Sequence, residues 1–180
     1  WRWPCNTGAP PHAWADTAMK ILFVADPLES FKTYKDTTFS MMREAARRGH
    51  QLWACTPADL VWVRGARVVA RGARCITLTG QREAWFDTVA VAELALADTD
   101  AVLMRKDPPF DSEFFYATHL LGQAEREGAK VFNKPAALRD HPEKLAILEF
   151  ERFITPTIVT RSAEAIRAFH AEHRDIILKP

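Results

Sequence analysis

Short, continuous apolar runs recur along the chain, and each is followed by polar or turn-forming residues. Residues 21–25 and 101–104 are the clearest runs, and residues 51–55 and 130–133 resemble them. Unbroken apolar runs of this length are typical of strands that are covered on both faces, as in parallel sheets. The pattern therefore predicts an α/β fold in which helices connect and cover buried strands.

Capping residues mark the predicted helices between these strands. Asp36 precedes an amphipathic stretch that stops at Gly49, and Asp111 precedes one that stops at Gly128. Aspartate accepts a hydrogen bond from the first turn of a helix, and glycine adopts the left-handed conformation that ends one. Ser162 is predicted to cap a further helix, which runs to about His173.

Residues 60–80 have a different pattern, in which short strand-like runs are separated by glycines. This pattern predicts an antiparallel ribbon inserted into the α/β fold. Four arginines lie on it: Arg64, Arg67, Arg71 and Arg74. Two interpretations remain open for these arginines, of which we favour the solvent face of a half-exposed hairpin over a site for anions.

The segment from Asp140 onward begins with a strong helix-start signal. Asp140 can act as a cap, Pro142 fits the first turn, and Glu143 completes a capping box. Residues 156–160 and 176–178 read as strands. Because the last apolar run coincides with the end of the chain, residues 140–180 are interpreted as the truncated beginning of a second domain.

The first eighteen residues do not follow the pattern of the rest of the chain. They contain half of the six tryptophans and show neither a helical nor a strand period. They also lack the basic start and apolar centre of a signal peptide. We interpret residues 1–18 as a disordered or artefactual extension, with a functional aromatic arm as the alternative. The first domain is then expected to span residues 19–139.

Composition and charge exclude several classes of protein. The chain has 180 residues and a formal net charge of +1, and 48% of it is hydrophobic. No cluster of lysine and arginine indicates a partner nucleic acid. No apolar run reaches the roughly 18 residues that a membrane span needs. Three separated cysteines without a C-x-x-C pair indicate a reducing, cytoplasmic location.

Residues 104–111, which read MRKDPPFD, contain the candidate binding residues. In open α/β sheets, ligands bind beyond the carboxyl ends of the strands, and Arg105, Lys106 and Asp107 follow a predicted strand directly. Arg105 is the candidate for binding a carboxylate, because guanidinium binds carboxylate with two parallel hydrogen bonds. The alternative is structural: Arg105 or Lys106 would pair with Asp107 or Asp111 and brace the turn at the two prolines.

Several motifs match one known family in a single register from Met19 to Pro180. They are residues 20–27 (KILFVADP), 35–39 (KDTTF), 44–49 (EAARRG), 104–116 (MRKDPPFDSEFFY), 133–135 (NKP), 138–140 (LRD), 143–145 (EKL) and 176–180 (IILKP). The chain resembles the N-terminal part of the bacterial glutathione synthetases, which are ATP-grasp ligases. The resemblance implies a Rossmann-like (pre-ATP-grasp) parallel-sheet domain with an antiparallel insert, followed by the start of an ATP-grasp domain.

The resemblance also implies an activity and its partners. The family ligates γ-glutamylcysteine to glycine through an acyl phosphate, using ATP and Mg²⁺, and its members form homo-oligomers. By this likeness Lys144 and Lys179 would contact the phosphates of ATP. The predicted substrate-binding residues are Arg105, Lys106, Asp107 and Lys35.

The resemblance leaves part of the active site unassigned. The family's catalytic residues, its glycine-rich phosphate loop and its metal ligands are expected beyond residue 180, so no metal ligand is predicted in this chain. Two alternatives to the synthetase remain at this point. One is an ATP-grasp peptide ligase with a different acceptor, and the other is a stand-alone α/β binding module without catalysis.

Overall fold

The computed structural model describes residues 18–142 and 144–179. The chain divides into two compact units, one up to Asp140 and one from His141 onward. The predictions made above for residues 1–17, for Glu143 and for Pro180 lie outside the described residues.

The first unit contains seven strands and three α-helices among its described residues. The strands are β1 (Lys20–Val24), β2 (Gln51–Cys55), β3 (Leu60–Val61), β4 (Val69–Leu78), β5 (Phe86–Ala95), β6 (Ala101–Met104) and β7 (Val131–Phe132). The helices are α1 (Thr37–Arg47), α2 (Ser112–Arg126) and α3 (Pro135–Asp140), and short 3₁₀ turns lie at Leu28–Ser30, Pro57–Asp59 and Leu96–Asp98.

One mixed sheet forms the centre of this unit, in the order β3-β4-β2-β1-β6-β7, with β5 also paired to β4. β1 pairs in parallel with β2 on one side and with β6 on the other, and β7 continues the parallel part. β4 is antiparallel to β2. The predicted α/β fold with parallel strands and an antiparallel insert is therefore confirmed.

Helices cover both faces of the parallel strands, so β1 is buried on both sides. Leu22 and Val24 pack in a cluster with residues of α2, such as Leu121. Ile21 and Phe23 pack on the opposite face with residues of α1, and Phe23 is 1% exposed. This arrangement explains the unbroken apolar run. Successive side chains of the strand point to opposite faces of the sheet, and each face is buried in a hydrophobic core.

The predicted capping residues begin the helices as expected. The Asp36 carboxylate accepts a hydrogen bond from the backbone N–H of Phe39 at 2.8 Å. Asp111 does the same for the N–H of Phe114 at 3.0 Å. The glycine that follows α1, Gly49, has a φ of 78°. The left-handed backbone there is the conformation for which the sequence pattern required glycine.

The inserted ribbon is longer than the sequence predicts. Much of the segment predicted as short separate runs forms one ten-residue strand, β4, and its partner β5 was not predicted. The register between the two strands shifts between Ala70 and Ala73 and between Cys75 and Ile76. β5 pairs with β4 alone among the described strands, and its side chains Val89 and Val91 are 63% and 62% exposed.

Arginines of the ribbon pair with acidic side chains on the surface. Ion pairs join Arg67 to Asp98 at 2.6 Å, Arg71 to Glu93 at 3.3 Å and Arg74 to Glu29 at 2.7 Å. These contacts agree with the interpretation of the ribbon as a solvated hairpin, because carboxylates already neutralise three of the four arginines.

The second unit consists of helical turns. A 3₁₀ segment, Ala146–Phe153, contains a kink at Phe150, and α4 (Ala163–His173) follows, capped by Ser162 as predicted. The predicted role of Asp140 is wrong, since Asp140 is the last residue of α3 in the first unit. The helix-start pattern at Asp140 was ambiguous, because α3 ends at this residue and the second unit begins at the next one.

The two strands predicted in the second unit are also wrong. Residues 156–160 and 176–178 do not form strands, and Ile177 and Leu178 are 85% and 67% exposed. A strand requires a neighbour for its backbone N–H and C=O groups, and no strand is present beside either segment among the described residues of this unit. Apolar content alone could not supply that neighbour.

Candidate functional site

The carboxyl ends of β1 and β6 lie side by side and position the candidate residues. Val24 and Met104 are in register at the ends of the two strands. The backbone N–H of Arg105 donates to the carbonyl of Val24 at 2.7 Å, which extends the pairing by one residue. The residues that follow β1 therefore face the MRKDPPFD segment directly.

Asp26, two residues after β1, holds this segment with both of its carboxylate oxygens. Oδ1 forms an ion pair with Nζ of Lys106 at 2.9 Å, and Oδ2 accepts from the backbone N–H of Asp107 at 2.9 Å. The ammonium of Lys106 also donates to the carbonyl of Asp107 at 2.7 Å. Both side chains of the ion pair are about three-quarters buried, at 27% and 26% exposed.

Asp26 was not predicted as a residue of the site. The available signal was positional, because Asp26 and Lys106 both follow a predicted parallel strand, and such strands end at the same edge of a sheet. Lys106 does form a bracing ion pair, but with Asp26. The partners named in the bracing alternative, Asp107 and Asp111, form no ion pair with Lys106 or Arg105 among the described residues.

Arg105 is held by hydroxyl groups at the start of α1. Its Nε donates to Oγ1 of Thr38 at 3.1 Å, and Nη2 donates to Oγ1 of Thr37 at 2.9 Å. Among the described residues Arg105 has no carboxylate partner. The guanidinium is thus fixed in place while its charge is not neutralised, which distinguishes it from the neighbouring Lys106.

A small cleft of about 60 Å³ opens beside this arrangement. It is lined by Asp26, Ser30, Phe31, Asp36, Thr38, Arg105 and Asp107. The carboxylate of Asp107 has no hydrogen-bond or ion-pair partner among the described residues, although its backbone N–H is held by Asp26. The cleft therefore presents one guanidinium and one carboxylate that are both available to a ligand.

A second cleft of about 40 Å³ lies on the other side of Asp26, beside β2 and β4. Arg74 lines it and binds both carboxylate oxygens of Glu29, at 2.7 and 3.3 Å. The hydrogen bond from Arg74 lowers the pKa of Glu29 below its ordinary value. Because these two charges neutralise each other, this cleft offers less to a charged ligand than the first.

Lys35 lies in the exposed loop before α1 and does not line the first cleft. Its ammonium lies 5.9 Å from the centre of the Tyr34 ring. Lys144 and Lys179, in the second unit, are both exposed. The part of the chain that the structure describes gives neither of them an ion-pair partner, so both ammonium groups are available to an anion.

The comparisons with known proteins decide the family. The model of the prokaryotic glutathione synthetase N-terminal domain matches residues 19–139, and that of the prokaryotic glutathione synthetase ATP-grasp domain matches residues 143–180. The chain belongs to the prokaryotic glutathione synthetase family. Within this family, the MRKDPPFD cleft lies in the part that matches the N-terminal domain.

Individual relatives agree with this family. A glutathione synthetase of Ralstonia nicotianae is 53% identical over 162 residues, covering 90% of this chain and 49% of the relative. One of Neisseria meningitidis serogroup B is 51% identical over 165 residues, covering 90% of this chain and 51% of the relative. The chain thus spans about half the length of the curated relatives it matches.

A solved structure of the ATP-grasp ligase PsnB, complexed with minimal precursor, is a more distant match. It is 20% identical, with a TM-score of 0.40, and covers 87% of this chain and 51% of that chain.

Three further features of the described residues concern metal ligands, thiols and membrane crossing. Among these residues, no group of three or more histidine, cysteine or acidic side chains could hold a metal ion. Burial raises the pKa of both the Cys55 and Cys75 thiols, so neither is a reactive thiolate. None of the described helices has the length and apolar character needed to cross a membrane.

Proposed function

We propose that the protein to which this chain belongs is a glutathione synthase, which ligates γ-L-glutamyl-L-cysteine to glycine in an ATP-dependent reaction. The observation that carries this proposal is the 53% identity to a glutathione synthetase over 90% of the chain. The arrangement of Asp26, Arg105 and Asp107 supports it, because a polar cleft at the carboxyl edge of a parallel sheet is suited to a small charged substrate.

In the proposed reaction, ATP supplies the phosphoryl group that activates the cysteinyl carboxylate as an acyl phosphate, which the amine of glycine then attacks. Such transfers depend mainly on positioning and on cations that stabilise the developing charge. Arg105, Asp107 and Lys35 are proposed to lie on the substrate side, with Lys106 braced behind them by Asp26. Lys144 and Lys179 are proposed to contact the phosphates of ATP.

The described residues offer cations that suit the phosphates of ATP, but they offer no cluster of ligands for Mg²⁺. The two exposed lysines of the second unit have the charge and the freedom from carboxylates that a polyphosphate requires. Mg²⁺ is also proposed as a cofactor, but the described residues contain no suitable cluster of ligands. We therefore assign none of its ligands to this part of the chain.

We further propose the organisation of the chain given by its sequence. Residues 19–139 would form the substrate-binding domain, and residues 140–180 would begin an ATP-grasp domain, with residues 1–18 as an extension. The boundary between the two compact units after Asp140 supports this division. A cytoplasmic homo-oligomer is proposed for the whole protein, on the resemblance to its family.

The test uses an extended protein, in which this chain is joined to the remaining half that the relatives possess, taken from the Ralstonia nicotianae synthetase. The extended protein is supplied with ATP, Mg²⁺, glycine and a panel of acids, and the products are separated by chromatography. We expect ATP-dependent formation of glutathione from γ-glutamylcysteine, and no turnover by the 180-residue chain alone. Preference for another acid or another amine would refute the proposal.

A further inference from the structure

Residues 27–36, which connect β1 to α1, form a loop that supplies Ser30, Phe31 and Asp36 to the wall of the first cleft. Trp85 does not line this cleft, but its ring stacks on the ring of Phe31. We propose that Trp85 is a positioning residue, which sets the place of the loop and so the shape of the cleft. In terms of the proposed function, on which this inference rests, Trp85 acts through Phe31 on the binding of γ-glutamylcysteine.

The backbone hydrogen bonds of the loop stay within the loop, among the residues that the structure describes. The N–H groups of Ser30, Phe31 and Lys35 donate to loop carbonyls at 2.9, 3.2 and 2.9 Å. Bonds of this kind shape the local turns, but they do not fix the loop against the sheet. The place of the loop therefore depends on contacts that its side chains make with the rest of the first unit.

Two residues of the β4–β5 hairpin provide such contacts. Arg74, on β4, forms an ion pair with Glu29 at 2.7 Å, and the Glu29 side chain is 62% exposed. Trp85, the residue before β5, lies nearly parallel to the Phe31 ring, with 5.6 Å between the ring centroids and 14° between the planes. Exposed ion pairs contribute little to stability, whereas Trp85 is only 3% exposed. The stack is therefore the stronger of the two contacts.

Trp85 is itself fixed by its surroundings. The ring of Phe39 on α1 meets it edge-on, with centroids 5.1 Å apart, and the ring of Phe86 lies 4.7 Å away. The carbonyl of Trp85 accepts a hydrogen bond from the N–H of Thr79 at 3.1 Å, which closes the hairpin. Aromatic pairs of these geometries stabilise a structure beyond the area that they bury. A ring anchored in this way defines where Phe31 lies.

The burial along β5 agrees with this role. Residues 87–93 are all exposed, whereas Trp85 and Leu94, at the two ends of this stretch, are buried. The middle of β5 thus adds little to the hydrophobic core. One of its two buried ends is the end that contacts the loop, so the hairpin supports the cleft from behind, as a supporting shell supports a binding site.

The test measures steady-state kinetics of the extended protein with Trp85→Leu. Loss of the stack should raise the KM for γ-glutamylcysteine by roughly threefold to tenfold, the equilibrium effect of losing one aromatic pair. The kcat and the KM values for ATP and glycine should change by less than about twofold, because only binding at this cleft is altered. Trp85→Phe, which keeps an aromatic ring, should recover most of the loss. An unchanged KM for γ-glutamylcysteine, or an equal rise in all three KM values, would overturn the inference.

The matched control is Trp53→Leu, which removes a tryptophan that is 8% exposed from the cluster on the opposite face of the sheet. Circular dichroism in urea should show a loss of stability in both variants, whereas the KM for γ-glutamylcysteine should rise only with Trp85→Leu. A rise of the same size with Trp53→Leu would show that lost stability alone is responsible. If Trp85→Leu does not fold, Trp85→Met takes its place, because methionine fills more of the same space without a ring.

A double-mutant cycle tests whether Trp85 acts through Phe31. Phe31→Leu removes the other half of the stack and should itself raise the KM for γ-glutamylcysteine. Adding Trp85→Leu to Phe31→Leu should then change this KM by less than about twofold, because residues that act through one contact are not additive. Effects that simply multiply would contradict an action through Phe31.

Hydrogen exchange separates failure of this inference from failure of the proposed function. In the ligand-free extended protein, Trp85→Leu should speed exchange of the amides in residues 28–36 by roughly tenfold, because the loop opens more often. Trp53→Leu should leave this exchange unchanged. If glutathione forms and the KM for γ-glutamylcysteine stays constant, the inference fails and the function stands. If no glutathione forms, the function fails, and exchange alone tests the inference: faster exchange in Trp85→Leu supports it, and equal exchange overturns it.

Discussion

Removing Asp26 should loosen the turn that carries Arg105, by an amount that can be worked out from its contacts. Asp26→Ala deletes an acceptor for the N–H of Asp107 and an ion pair with Lys106, both at 2.9 Å. A hydrogen bond to a charged group contributes about 1.5–3 kcal/mol and an exposed ion pair only about 0–1 kcal/mol. Because water reaches a quarter of each side chain, we expect a total loss of about 2 kcal/mol.

A double-mutant cycle isolates the ion pair from the backbone hydrogen bond. Lys106→Met should cost about 1 kcal/mol alone and much less in the Asp26→Ala background, giving a coupling energy of about 1 kcal/mol. The control cycle is Arg67→Met with Asp98→Ala, a pair whose side chains are more than half exposed. Its coupling energy should be smaller, because solvent screens the two charges.

Urea unfolding followed by tryptophan fluorescence measures these energies in the first unit. All six tryptophans lie within the first 85 residues, and Trp53 and Trp85 are 8% and 3% exposed. Tryptophan emission therefore reports on this unit without a contribution from the second. A coupling energy near zero for Asp26 and Lys106, or a wild-type midpoint for Asp26→Ala, would refute the reasoning.

Three further predictions concern the core, a helix charge and the cysteines. Met42→Ala should cost about 2–5 kcal/mol by urea unfolding, because this side chain is fully buried under the sheet. Arg47 and Arg48 lower the pKa of Glu44 from 4.5 to about 2, so Arg47→Gln should raise the pKa measured by NMR. The stabilisation from this depressed pKa is complete above pH 4.5 and is lost as the pH falls toward 2. Cys55 and Cys75 should react with a thiol reagent only after unfolding, because both are buried.

Matched controls sharpen these three predictions. Met41, the preceding residue on α1, is 40% exposed, so Met41→Ala should cost much less than Met42→Ala. Arg43→Gln removes an arginine that forms no ion pair with Glu44 among the described residues, and it should leave the pKa of Glu44 low. Thiol reactivity is measured in a Cys5→Ser background, and rapid labelling of the folded protein would contradict the buried placement.

The parts of the fold set by local chemistry could be predicted from the sequence. Asp36, Asp111 and Ser162 each act as a helix cap as predicted, because a cap depends on residues within one turn. β5 was missed, since its small alanines and its exposed valines show no buried face. That strand exists because β4 supplies a partner along its length, which is a tertiary effect.

The candidate site was predicted only in part, for a similar reason. Arg105 and Asp107 were identified by their position after a strand, and both line the cleft. Their hydrogen-bond partners, Asp26 and the threonines of α1, lie more than 65 residues away in sequence. The spacing of residues along the chain could not show that Lys106 is neutralised while Arg105 is not.

The separation of Asp26 and Asp107 by 81 positions also has a consequence for how the chain folds. Helix α1 and the β4–β5 hairpin involve neighbouring segments, whereas the cleft requires the closure of a long loop between β1 and β6. The entropy of such a closure grows only with the logarithm of loop length, so each doubling costs about 0.6 kcal/mol. Because its two sides are far apart in sequence, we expect the cleft to order after the local segments during folding. Because the cost grows so slowly with loop length, we expect the intervening hairpin to accept insertions at its tip with little change in stability.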